Sequence, residues 1–145
     1  LPDTVKVIDW YAFNKCSLNY IRMPRKLKEL GAYAFQESAL KKITVYGKVE
    51  LGQTFSSCKK LKTVVLKEGV KELGELVFCG CPKLRSVTVP KSVKSLVCIY
   101  DNIFYYRGLK CNLSKLTIKT PKNSEMYRYR KFWKKQYKIK VKVIK

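Results

Sequence analysis

Glu72 and Glu75 are the closest pair of acids in the chain, and paired carboxylates are what general acid-base hydrolysis uses. They flank Leu73-Gly74, a turn or outer edge, whereas a hydrolytic pair must converge inside a concave pocket. The other acids are scattered, and with no histidine in the chain neither a Ser-His nor a Cys-His nucleophile pair can be assembled. The six cysteines include no C-x-x-C spacing, and without histidine the usual zinc sets are incomplete. Cys79 and Cys81 are too close for an easy mutual bridge, while Cys98 and Cys111 are spaced so that a disulfide would span the segment between them. No glycine-rich phosphate loop occurs. These residues point to a non-enzymatic chain with no cofactor and no metal.

Charge is the other source of chemistry. The formal net charge is +22, and from 115 to 145 there are twelve Lys or Arg against the single acid Glu125. Such a balance attracts polyanions: nucleic acid, anionic glycans, wall polymers or acidic surfaces. Lysine on every outward position is also the ordinary way of keeping a repetitive exterior soluble. The run from Tyr127 to Lys135 interleaves aromatics with basic residues, as single-stranded nucleic-acid sites do. Its periodicity favours a different role. Met126, Tyr129, Phe132 and Trp133 fall on one face of a short helix, capped at Asn123 or Ser124 after Pro121, with the basic residues left to solvent. Tyr137, Ile139, Val141 and Val143 then alternate with lysines, the period of two of a half-buried closing strand.

What must position these groups is a repeat. The pattern L-x-x-apolar-x-apolar recurs at Leu18, Leu40, Leu61, Leu84 and Leu113, advancing by 22, 21, 23 and 29 residues. At such a period one unit cannot bury its own apolar face and must stack on its neighbours, so the chain reads as a solenoid. Phe13, Phe35, Phe55 and Phe78 ride on the same period, each followed three residues later by a small residue: Cys16, Ser38, Cys58 and Cys81. Because Ser38 replaces cysteine, the position calls for small size and not for a thiol. Gly31, Gly52 and Gly74 also recur with the repeat and are expected to supply turns of positive φ. No apolar stretch approaches the roughly 20 residues of a membrane span, and no secretory signal opens the chain. Leu1-Pro2 matches Met23-Pro24 and Val89-Pro90, so the array starts in mid-repeat and is read as a fragment of a longer protein.

The units I-D-x-x-A-F-x-x-C-x-L-x-x-I-x-M-P from Ile8 to Pro24 and L-G-x-x-A-F-x-x-S-x-L-x-x-I from Leu30 to Ile43 resemble the BspA-type leucine-rich repeats of bacterial surface proteins. Four clear units and one altered unit carry the resemblance over residues 1 to 118, and the segment after Leu116 is similar to the one that closes such arrays. The resemblance implies an α+β, β-rich solenoid: a right-handed array of about five leucine-rich repeats (1–22, 23–44, 45–65, 66–88 and 89–118) with a C-terminal helix-strand cap at 119–145. It implies an extracellular or cell-surface location and adhesion or protein binding, with no enzymatic activity. Asn112-Leu113-Ser114, formally a glycosylation acceptor, is fortuitous in the bacterial setting that the family suggests.

The repeat also says where a ligand would sit. Residues between and beside the inward apolar positions face out on a concave parallel sheet, giving a ladder of Tyr20 and Arg22; Lys42 and Thr44; Thr63 and Val65; Ser86 and Thr88; and Lys115, Thr117 and Lys119. At about 4.8 Å per strand the strip is on the order of 20 Å long, enough for a peptide, a loop or a glycan segment. The fifth unit is longer than its neighbours and carries Tyr105, Tyr106 and Arg107, a second candidate loop or else aromatics packed beneath the cap. Three functional readings follow: a protein or glycan interaction module, a charge-driven polyanion binder, and a structural stalk without a ligand.

Overall fold

The computed structural model describes residues 1–96 and 112–145. Cys98, Cys111 and the candidate loop Tyr105, Tyr106 and Arg107 lie outside the described residues. From the second repeat onward a short alternating segment forms a strand of the main sheet: β3 (Lys42–Val45), β5 (Thr63–Leu66), β7 (Ser86–Thr88) and β9 (Thr117–Thr120), joined by β10 (Lys140–Val143). The order is β10-β9-β7-β5-β3, and every pairing is parallel. Shorter strands form two further parallel sheets, β1 (Val7–Ile8) with β2 (Glu29–Leu30), and β4 (Glu50–Leu51) with β6 (Glu72–Leu73) and β8 (Ser95–Leu96). Among the described residues the α-helices are α1 (Glu125–Arg128) and α2 (Arg130–Tyr137), both in the C-terminal segment.

The turns between strands depend on backbone conformation more than on glycine. In successive repeats Tyr11, Tyr33, Gln53 and Leu76 have positive φ, and so do Lys15, Glu37, Ser57 and Gly80. Left-handed backbone at a non-glycine residue costs of order 1–3 kcal/mol and persists only where its surroundings hold it. Here the flipped peptides aim N–H groups at the next repeat. Phe13 N donates to Ala34 O at 2.8 Å, Phe35 N to Thr54 O at 3.0 Å and Phe55 N to Val77 O at 3.1 Å. Gly31, Gly52 and Gly74 are not the positive-φ residues, contrary to the expectation from spacing; among the described glycines those are Gly47, Gly69 and Gly80. A Cβ on Gly31 would collide with the Trp10 N–H, and one on Gly74 would lie 2.9 Å from Leu51 O, so these two permit close approach of the preceding repeat. A Cβ on Gly52 meets nothing within 4 Å.

Stacking of equivalent residues makes the core. Phe13, Phe35, Phe55 and Phe78 form a ladder with successive ring centroids 5.2, 5.7 and 6.0 Å apart and planes within 14° of parallel. Offset stacks of this kind add to burial of the rings. The small residue after each phenylalanine does more than fit: Cys58 Sγ donates to Phe35 O at 3.0 Å and Cys81 Sγ to Phe55 O at 3.1 Å. Ser38 Oγ lies 3.4 Å from Cys58 Sγ. The hydrogen bond with the Cys81 thiol, aided by Ser38, holds the Cys58 thiol below its ordinary value although burial acts in the opposite direction. At two of these positions the small side chain is thus also a hydrogen-bond donor, a role that serine could fill and alanine could not.

The first repeat departs from the pattern. Leu18, expected inward, is 44% exposed, and residues 20–22 form no strand, although Lys41 N still bonds to Asn19 O at 3.0 Å. No described residue packs on the far side of this layer, and Trp10 and Tyr11 are exposed as well; Tyr20, outward in the alternation, is exposed as expected. At the other end Ser124 caps α1 by accepting from Tyr127 N at 3.1 Å, and its hydroxyl lies 2.6 Å from Thr120 Oγ1. Met126 and Trp133 are buried over the last repeat. Lys138, left-handed at φ 57°, ends α2 and turns the chain into β10, which adds a strand to the main sheet. Burial fades along that strand: Ile139 is buried, Val141 half-buried and Val143 exposed.

Two stability predictions follow from this packing. Phe55→Ala, which opens a cavity in the middle of the ladder, should cost about 3–5 kcal/mol in urea unfolding, and Phe13→Ala, at the half-buried end, distinctly less. Gly74→Ala should lower the unfolding midpoint, whereas Gly52→Ala should leave it unchanged or raise it by the equivalent of about 0.5 kcal/mol through reduced freedom of the unfolded chain. Equal effects at both glycines would refute the close-approach explanation.

Candidate binding face

Parallel pairing in register converts the outward residues of the main sheet into two rows. One runs Lys42, Thr63, Ser86, Thr117, Lys140 and the other Thr44, Val65, Thr88, Lys119, Lys142. Residues between these rows, such as Ile43, Val64, Val87 and Ile118, are buried, so alternation has placed the rows on the solvent side. Lys140 and Lys142 were not among the residues that the repeat suggests. Their alternation marks a strand, but which sheet it joins is a long-range matter that local periodicity does not encode. Lys115 was expected on the strip and is instead on a 3-10 turn, Leu113–Lys115, ahead of β9. Backbone bonding through Leu116 N to Leu113 O makes that turn and delays the strand until Thr117.

Tyr20 and Arg22 lie next to β3 at the other end, where they share a depression of about 140 Å³ with Arg25, Lys42, Thr44 and Tyr46. Arg22 is held there by Asp3: its guanidinium is 3.1 Å from Asp3 Oδ2, while Asp3 Oδ1 accepts from the Arg25 N–H at 2.9 Å. The Arg25 N–H, followed by the Arg22 charge, holds the Asp3 carboxyl below its usual value. Arg25 is 6.0 Å over the Tyr46 ring, at the outer limit of a cation–π contact.

The distribution of charge on this face is uneven. The middle of both rows, Thr63, Val65, Ser86 and Thr88, is small and uncharged, and cations stand at the ends, Arg22 and Lys42 on one side and Lys119, Lys140 and Lys142 on the other. Lys41, Lys62 and Arg85 follow one another along its border, each bonded through the backbone to the next. Glu29, Glu50 and Glu72 are in the strands of the other sheets. Among the described residues no group of three or more His, Cys, Asp and Glu is arranged to hold a metal ion. Such a surface can recognise through hydrogen bonds and charge. No helix among the described residues is long and apolar enough to cross a membrane.

The pattern of the BspA type leucine-rich repeat region matches the chain in six copies, over residues 1–110 and 55–137. No curated protein matches. Among solved structures, the crystal structure at 1.19 Å resolution of a leucine-rich repeat protein from Bacteroides ovatus has a similar fold, with a TM-score of 0.59 and 20% identity. The alignment covers 99% of this chain and 44% of that protein, so the chain spans less than half of its length. Repeat pattern, parallel strands and the match to the repeat region agree, and the chain belongs to the BspA-type leucine-rich repeat family.

Proposed function

We propose that the chain is a protein-interaction module, displayed at a cell surface or secreted, that holds a protein loop, a peptide or a glycan segment against the outer face of its main sheet and so serves adhesion. In this reading residues 1–118 form a right-handed solenoid closed by a cap at 119–145, the hand that parallel crossover connections almost always take. Leucine-rich repeats are characteristically non-enzymatic interaction modules, and proteins of the BspA type are often surface-associated. The observation that carries the proposal is the pair of registered rows, neutral and hydroxyl-bearing in the centre with cations at both ends. Hydroxyls offer donors and acceptors without the desolvation cost of a buried charge, and the peripheral cations speed encounter more than they add affinity. The net charge of +22 favours a second reading, in which the surface holds polyanions by charge alone.

Salt separates the two. The purified protein would be screened against extracellular-matrix proteins, mucin, heparin, wall polymers and DNA at low salt and again at about 0.5 M, where screening confines charge interactions to a few ångströms. A saturable partner retained at high salt is the expected result, and binding confined to polyanions and lost on adding salt would replace the first reading with the second. For the retained partner, Tyr20→Ala with Lys42→Glu should weaken binding by about 2 kcal/mol or more without change in the unfolding midpoint, since both side chains are exposed. Unchanged affinity would remove the sheet face from consideration.

A further inference from the structure

The cap contains a groove that borders the sheet face and shares Lys140 with it. It lies between α2, which contributes Arg130, Lys131 and Lys134, and the segment from Lys138, where α2 ends, into the start of β10 at Lys140, with a volume of about 580 Å³. Ile139 and Val141 supply its apolar lining. Arg130 is set in place by the preceding helix, α1, with the guanidinium 4.2 Å from the Tyr127 ring and 3.2 Å from Tyr127 O. Among the described residues the ion pairs are Arg22–Asp3 and Arg128–Glu125, so none of these five cations is neutralised by a carboxylate.

One wall of the groove is an open strand edge. Lys140 N bonds to Leu116 O and Ile144 N to Thr120 O, so the even-numbered residues of β10 face β9. In a parallel ladder the alternate residues point their N–H and C=O groups the other way, here those of Val141 and Val143. Among the described residues β10 is the end strand of its sheet. We propose that this groove receives an extended acidic segment of another protein as an added strand, pairing through the backbone with Val141 and Val143 while its carboxylates meet Arg130, Lys131, Lys134 and Lys138. Edge-strand addition draws affinity from main-chain hydrogen bonds and specificity from the flanking side chains, and here those side chains are all cationic. The same lysines exclude a second copy as the occupant: Lys140 and Lys142 on the edge, in a chain of net charge +22, repel an identical edge.

The test is fluorescence anisotropy with a labelled peptide of alternating Glu and Val, about ten residues long, beside the same peptide N-methylated on consecutive central residues so that its charge is kept and neither edge can pair. The unmodified peptide should bind saturably at about 0.15 M salt and the methylated one at least tenfold more weakly, the loss expected when two or more backbone hydrogen bonds go unmade. Lys131→Glu with Lys134→Glu should weaken binding by a similar factor, and Lys59→Glu with Lys60→Glu, the same charge change on exposed residues outside the groove, by about twofold or less. Equal binding of the two peptides, equal loss in the two charge-swapped proteins, or absence of saturable binding each overturns the proposal. Groove-dependent capture of duplex DNA or of phosphatidylserine vesicles in place of the peptide would also overturn it, giving the groove to a polyanion or a lipid surface.

Discussion

Everything in this fold depends on residue-for-residue register between one repeat and the next. Backbone hydrogen bonds impose it with opposite polarity at two places in each unit. At the entry to the main-sheet strands the later repeat donates to the earlier, as Lys62 N does to Lys41 O and Arg85 N to Lys62 O. At the turn the earlier repeat donates to the later, as Phe35 N does to Thr54 O. A slip by one residue would turn every apolar side chain of a strand outward. The left-handed residues at Tyr33, Gln53 and Leu76 are where the chain stores strain to gain this second set of bonds. That strain is tolerable because the same turn delivers a phenylalanine to the ladder and a small donor to the carbonyl beneath it.

Register also decides what kind of surface the protein presents. Since equivalent positions stack, each choice of outward residue is repeated as a line, and a functional surface is written in rows and not gathered around a cleft. The central rungs use this to keep charge away: Thr63, Val65, Ser86 and Thr88 interrupt an exterior that is otherwise rich in lysine. Uniform lysine for solubility would have filled those positions too. The departure is what supports the proposal that recognition falls on the sheet face; in that reading the cations of its ends act on approach and the hydroxyls on contact.

The parts of this architecture that were legible in the sequence are those set by local period. The inward positions Leu40, Ile43 and Val45 and their counterparts in the next two repeats are buried, the phenylalanines stack, and Ser124 caps its helix. What escaped the sequence is set by non-local pairing. Nothing near Lys140 and Lys142 says that their strand extends the main sheet, and nothing near Leu18 says that it is exposed where Leu40, Leu61 and Leu84 are buried. The glycines were misread for another reason. A recurrent glycine is consistent with either positive φ or a close neighbour, and only the position of Leu51 O against Gly74 distinguishes them. The thiols illustrate a finer limit, since a small buried residue and a small buried donor are the same letter in a sequence.

The two ends of the stack present contrasting surfaces, and the contrast bears on association. The first layer shows apolar side chains to solvent, with Trp10 and Tyr20 each 67% exposed. The cap end has its apolar layer covered by Met126 and Trp133 and presents a strand edge with Lys140 and Lys142 beside a lysine-rich helix. Head-to-tail contact between copies is the heterologous arrangement that fails to close and grows into fibres. In this chain it would press Trp10 and Tyr11 against the cations of α2 and β10 and strip those cations of water without offering a carboxylate in return. Among the described residues, then, the charge of Lys140, Lys142 and α2 opposes head-to-tail stacking of this segment on a second copy of itself.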